Sequence, residues 1–201
     1  MCKSWRPESP LQNTTSVRKR PEKPSEFSDF RVSFVSLIEL PDQSRIRISG
    51  GLSALIAKGL IEDFARLHLE RPQVLWFSTS ERKSIPQFDA LAASIGLNID
   101  VSTDLPDLIL IDMAASRFHV CEIVASDGAV TEKRKTDLLA MLKTSKISAD
   151  AIQFVSAFED RNSPEFRKNF SQIALESSVW FRTEPELLVV LTMPTRDELS
   201  P

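Results

Sequence analysis

Asp107 and Glu122 are the residues whose types and spacing could do chemistry in this sequence. Asp107 follows Pro106 at the head of the apolar run Leu108-Ile109-Leu110-Ile111. Glu122 closes a second run, Phe118-His119-Val120-Cys121, fifteen residues after Asp107. If the two runs pair as a hairpin through Ala114-Ala115-Ser116-Arg117, one acid enters its strand where the other leaves. Both carboxylates then end at the same edge of a sheet. Carboxylates so placed repel each other, and a divalent cation resolves the repulsion.

The rest of the chain supplies elements to position that pair. Phe30 to Ile38 alternates apolar and polar residues as a strand or short helix before Pro41-Asp42, and Arg45-Ile46-Arg47-Ile48 alternates strictly as a strand. Ser53 is the expected cap of a helix whose stripe is Leu55, Ile56, Leu60, Ile61, Phe64 and Leu67, ending before Pro72. Val74-Leu75-Trp76-Phe77 reads as a buried strand, residues 86–95 as a helix ended by Gly96, and residues 97–101 as a short extended piece. Beyond Gly128, Thr131 caps a helix over 131–142 with Leu138, Leu139 and Leu142 inside. Residues 152–158 then return as a strand parallel to the one bearing Glu122. A helix over 164–177 and strands at 179–181 and 187–191 complete an α/β domain with a mixed central sheet flanked by helices.

At 201 residues the chain is most simply one domain with a tail. Residues 1–27, with Pro7, Pro10, Pro21 and Pro24 among polar residues, form the expected disordered tail. The domain then spans 28–193, and 194–201 is a frayed end. No apolar run approaches the ~20 residues of a membrane span, and no signal-peptide core opens the chain, so a cytoplasmic protein is expected. Cys2 and Cys121 with His68 and His119 offer neither a disulfide framework nor a structural zinc site. The net charge of −3 does not advertise a nucleic-acid binder. Local basic clusters remain at Arg18-Lys19-Arg20, at Arg45 and Arg47, and at Lys133-Arg134-Lys135. Such a cluster beside a metal-binding acid pair suits a phosphodiester, although a charge run is as readily a solvated face.

Pro106-Asp107 followed by Glu122 on a neighbouring strand resembles the PD-(D/E)xK nucleases. Beyond that pair, the blocks LPDLILID, CEIVASDGAVTEKRKTDL, FVSAFEDR and IALESSVWFRTEPELLVVL resemble, in order, the C-terminal catalytic domain of the BsuBI/PstI type II restriction endonucleases. The likeness runs over roughly 46–191. It implies a restriction-endonuclease-like fold, a Mg2+ ion (Mn2+ able to substitute) held by Asp107, Glu122 and the Ile123 carbonyl, and hydrolysis of double-stranded DNA. It further implies a cognate DNA methyltransferase as functional partner. Symmetric cutting of both strands would call for a two-fold homodimer.

A plain ExK site would place lysine two residues past Glu122. Val124 stands there, as the family also has, and Lys133 at the start of the following helix is the candidate for the displaced catalytic lysine. Ser126 and Gly128, small residues in a turn, would let a DNA backbone approach closely. Arg134 and Arg161 are candidate phosphate contacts, Arg161 having pairing with Asp160 as its alternative. Asp127 reads as a turn residue, Glu62 as an auxiliary acid, Glu176 as helix-end structure or a DNA-proximal group, and Trp76, Trp180 and His119 as core.

Several positions depart from the family pattern. Ser78-Thr79-Ser80 replaces an acidic residue, Leu175 a tryptophan, Ser178 a glutamate, and Leu187 and Val190 histidines, while the family's late FNG block has no counterpart in 192–201. These departures bear on recognition and dimer contacts and leave both acids in place. They keep a second reading open, a catalytically decayed DNA-binding or assembly module of a defence system, and beyond it a plain structural domain.

Overall fold

The apolar runs become strands buried on both faces. The computed structural model describes residues 35–78, 86–97, 104–126, 128–143, 145 and 147–193. The expected tail, the start of the first alternating run at 30–34, Thr79-Ser80, most of the extended piece at 97–101, Asp127 and the expected frayed end lie outside the described residues. The described residues belong to one compact unit, Ser33–Pro201.

β1 (Val35–Glu39) and β2 (Arg45–Ser49) form an antiparallel hairpin of their own. The turn between them is closed by Asp42, which accepts hydrogen bonds from the Ser44 amide and hydroxyl at 3.0 and 2.6 Å. The main sheet runs in the order β3 (Pro72–Phe77), β4 (Leu108–Asp112), β5 (Arg117–Val124), β6 (Ile152–Phe158), β7 (Ser177–Phe181), β8 (Leu188–Leu191). β3, β4 and β5 are antiparallel neighbours, β5, β6 and β7 are parallel, and β8 closes antiparallel, so the sheet is mixed as expected.

Strand alternation sorts the core into two layers. Leu108, Leu110, Cys121, Val155, Ala157 and Trp180 face the helix over 52–68. Ile109, Ile111, Val120 and Phe154 face α3 (Pro86–Ser94) and α4 (Glu132–Leu142), whose Leu138 and Leu142 are buried against them. Covering on both sides is why the strands read as unbroken apolar runs. A third cluster packs Phe158, Val179 and Phe181 under Phe166 of α5 (Pro164–Asn169).

Two helix boundaries differ from expectation. Ser53 does not cap the first helix: Gly51, at φ 128°, occupies the N-cap of α1 (Leu52–Gly59) without a side-chain bond, and Ser53 sits inside the first turn. Only a residue free of a Cβ reaches that φ cheaply. The helix continues as a π-turn (Leu60–Phe64) into α2 (Ala65–His68). The expected helix over 164–177 stops with α5 and a 3-10 turn at Phe170–Gln172. Glu176 adopts φ 57° to turn the chain into β7, and no right-handed helix passes through that conformation.

Candidate active site

β4 and β5 pair as the expected hairpin, with Leu108 opposite Cys121 and Asp112 opposite Arg117; the turn is Met113-Ala114-Ala115-Ser116, one residue earlier than expected, because Arg117 already belongs to β5. One step beyond the ladder, Asp107 therefore stands opposite Glu122, and residues opposite each other in a pair project to the same side. The backbone locks the corner. The Ile123 amide donates to Asp107 Oδ2 at 2.8 Å, Ser78 N donates to the Asp107 carbonyl at 2.8 Å, and the Trp76 indole donates to the Pro106 carbonyl at 2.8 Å. The buried tryptophan is thus core, as expected, and also fixes the proline ahead of the acid.

The two carboxyls lie within hydrogen-bonding reach of one another. Glu122 is only 5% exposed. Burial, then the charge of Asp107, pushes its carboxyl up to about 8, against the pull of Arg134. Burial raises Asp107 as well, opposed by the Ile123 amide, by its bond to Glu122 and by Arg134. A pair whose carboxyls are both pushed upward by burial gains from a proton or a cation.

Glu122 points to the face covered by α4, and the cation that meets it comes from there. Arg134 Nε donates to Glu122 Oε1 at 2.9 Å, and Nη2 lies 2.7 Å from the same oxygen. The start of α4 is set by Thr131, whose hydroxyl accepts from the Arg134 amide at 3.2 Å, as its expected cap role requires. Lys133 does not reach the acids: its ammonium bonds Asp137 Oδ2 at 2.7 Å, one helical turn on, with its side chain 87% exposed. Successive helical residues point about 100° apart, so only one of the two basic residues can face the sheet, and it is Arg134. Lys133, the expected displaced lysine, is thus turned toward Asp137 in this structure, and Arg134 is the basic residue that meets the acids.

The remaining candidates divide. Ser126 and Gly128 are exposed just past β5, at the rim that carries the acids. Gly128, at φ 109°, has nothing within 4 Å of where a Cβ would stand. Arg161 pairs with Glu184 and lies over the Phe181 ring at 5.9 Å, while Asp160 accepts from the Thr183 hydroxyl. Glu62 is not beside the pair: it accepts from the Glu39 amide at 2.8 Å and from Lys58, on the wall of a separate groove of about 990 Å3. Glu176 is an exposed turn residue 3.5 Å from Lys135. His119 is buried in the strand, edge-on to Phe64, and His68 bonds the Pro185 carbonyl at 2.9 Å.

A cleft of about 430 Å3 opens beside the pair, with Asp107 and Ile123 on one wall and Gly50, Gly51, Leu52 and Ser53 at the head of α1 on the other. Among the described residues no third Asp, Glu, His or Cys joins the two acids. Asp107 and Ile123 line the cleft and Glu122 is buried beside them; two carboxylates and a strand-end carbonyl so grouped nevertheless suit a hard cation that keeps waters and takes its other oxygens from substrate.

Residues 36–193, more than half of the chain, match the family model described as the BsuBI/PstI restriction endonuclease domain. The chain belongs to this family. The type II restriction enzyme BsuBI of Bacillus subtilis is 23% identical over 152 residues, covering 76% of this chain and 46% of that enzyme. The solved SdaI restriction endonuclease superposes with a TM-score of 0.70 at 23% identity over 83% of this chain and 50% of that one. The BsuBI/PstI resemblance read from the ordered blocks is therefore borne out, and the fold is restriction-endonuclease-like. The chain spans about half the length of these relatives. Among the described residues no helix is long and apolar enough to cross a membrane.

Sequence reasoning did not single out Asp112, at the far end of β4. Its carboxylate accepts from the amides of Glu70, Arg71 and Ala114 at 3.0, 3.1 and 2.9 Å. Burial opposes its charge, but these amides outweigh burial and hold the group down at about 2. The signal available was an acid directly before a turn, a common amide acceptor.

Proposed function

We propose that this chain is the catalytic domain of a type II restriction endonuclease, hydrolysing phosphodiester bonds of double-stranded DNA with Mg2+, for which Mn2+ substitutes. The observation that carries the reading is the meeting of Asp107 and Glu122, fifteen residues apart in the chain, as an interacting, largely buried pair at one rim of the sheet. Asp107, Glu122 and the Ile123 carbonyl would hold the ion. When bound, such an ion neutralises charge on the phosphate and makes a coordinated water acidic.

The chain's own residues do the positioning. The Ile123 amide and the Trp76 indole hold the Asp107 corner, and Arg134 orients Glu122. Ser126 and Gly128, exposed on the same rim, leave room for a sugar-phosphate backbone to approach. Action on both strands of a symmetric site calls for a homodimer, and a host needs a cognate methyltransferase for protection; both, with residence in the cytoplasm, belong to the proposal.

A second reading has one observation in its favour. Lys133, Arg134 and Arg161 are each already paired with a carboxylate, as they would be in a binding or assembly module that no longer cuts. One experiment decides between them: purified protein with plasmid DNA and Mg2+ or Mn2+, beside Glu122→Gln. Cleavage by the parent and none by the variant is expected. Intact plasmid with both proteins, together with DNA binding indifferent to metal, would favour the module.

A further inference from the structure

Arg134 is a basic residue at the start of a helix, a place that suits a phosphate contact, yet its bonds all go to groups of its own chain. Its side chain is 17% exposed. Nε and Nη2 both address Glu122 Oε1, Nη2 also donates to the Leu105 carbonyl at 2.8 Å, and Nη1 donates to the Asp104 carbonyl at 2.9 Å while pairing with the Asp104 carboxylate at 2.9 Å. Every nitrogen of the guanidinium is therefore engaged. The partners belong to the two elements that bear the acids: Glu122 lies on β5, and Asp104-Leu105 leads through Pro106 into Asp107.

We propose that Arg134 is the positioning residue of the acid pair, a forked brace tying the strand that carries Glu122 to the segment that delivers Asp107, and not a phosphate contact. The role in turnover rests on the nuclease reading; the brace itself does not. A planar fork can hold one carboxylate and two carbonyls at once, whereas an ammonium is a single point charge. Without the fork, Asp104-Leu105 loses both backbone bonds to α4, and the Asp107 carboxylate loses the restraint that keeps it on the Ile123 amide.

The first test needs neither metal nor DNA. Amide hydrogen exchange in the whole chain is compared among the parent, Arg134→Ala and Arg134→Lys. The Ile123 amide, held by Asp107 Oδ2, should exchange roughly tenfold faster or more in Arg134→Ala and by a smaller factor in Arg134→Lys, with the β6 amides unchanged. If the alanine variant loosens β6 as well, the lysine variant alone carries the comparison. Parental protection of Ile123 in the variant used overturns the brace.

The second test reads turnover. Arg134→Ala should lower kcat on the order of 10–100-fold, the usual cost of losing a residue that orients a ligand. KM for DNA and the salt dependence of binding should stay near parental. A higher KM and a salt slope reduced by about 1, with kcat kept, would make Arg134 a phosphate contact and overturn the proposal. Mn2+ affinity adds a sign. Loss of positioning weakens it, whereas loss of a merely repelling positive charge would tighten it and overturn the brace. A parent that neither binds Mn2+ nor cuts defeats the nuclease reading alone, and the exchange measurement still decides the brace.

Discussion

Glu122 sits where a carboxylate costs free energy: buried, beside Asp107, and relieved by the guanidinium of Arg134 alone among the described side chains that bond it. Replacing it by glutamine removes the repulsion while keeping an oxygen for Arg134. Metal-free Glu122→Gln is therefore expected to be as stable as the parent or up to about 2 kcal/mol more stable in urea titrations, while Mn2+ binding by calorimetry disappears. A variant less stable than the parent would mean that the charge itself supports the fold. His119 makes a complementary case. Burial, then the charge of Arg117, lowers its ring to about 4 from 6.5, and its Nδ1 has no hydrogen-bond partner among the described residues. A base whose folded value is depressed binds fewer protons folded than unfolded. Its contribution is complete above pH 6.5 and is lost as pH falls towards 4, up to about 3 kcal/mol. Melting temperatures across that window should fall less steeply for His119→Phe than for the parent; parallel curves would show that His119 does not titrate with unfolding. At this scale the sequence was legible where geometry follows from strand pairing, as for Asp107 and Glu122. It was not legible at Lys133 and Arg134, because a helix's rotation is settled by packing, and two adjacent lysine-like charges carry no sign of which one turns inward.

Elements show the same division. The hairpin of β4 and β5, the cap at Thr131 and the parallel return into β6 were readable, each being fixed by local pattern and short connection. The Gly51 cap and the early end of α5 were not: the first depends on a positive φ that side-chain pattern does not report, and the second on Ile173 turning to extended backbone inside an apolar stripe that still reads as helical. Gly59, at the junction of α1 and the π-turn, was equally silent. A Cβ there would stand 2.8 Å from both Arg182 Cγ and Trp180 Cη2, so the glycine lets the helix over 52–68 lie directly on β7. Arg182 is itself held by Glu159, and Trp180 by its indole bond to the Pro185 carbonyl at 3.0 Å, so neither neighbour yields freely. Gly59→Ala is expected to destabilise the protein by about 1–3 kcal/mol, the usual cost of overpacking, despite alanine's better helix propensity. A stabilised variant in chemical denaturation would show that the helix can shift off the sheet at little cost.

On the scale of the molecule, electrostatics sets a condition on any DNA substrate. The chain carries a net charge of −3, and the acid of the pair that lines the cleft is Asp107, so phosphate approaching the metal-free site gains no positive field from it. The described basic residues near the rim add no surplus positive charge: Arg134 offsets only Glu122, and Lys133 and Arg161 are matched by Asp137 and Glu184. Phosphate contacts dominate DNA affinity, and a divalent ion between the carboxylates reverses the local sign. DNA binding should therefore depend on the ion even when no cutting occurs. With Ca2+ as a hard cation that fills oxygen sites, fluorescence anisotropy on a duplex is expected to show affinity about tenfold or more above that in chelator, and Asp107→Asn should abolish the difference. Equal affinity with and without Ca2+ would place the nucleic acid away from the acid pair, and the pair would then have to be explained by something other than a phosphodiester.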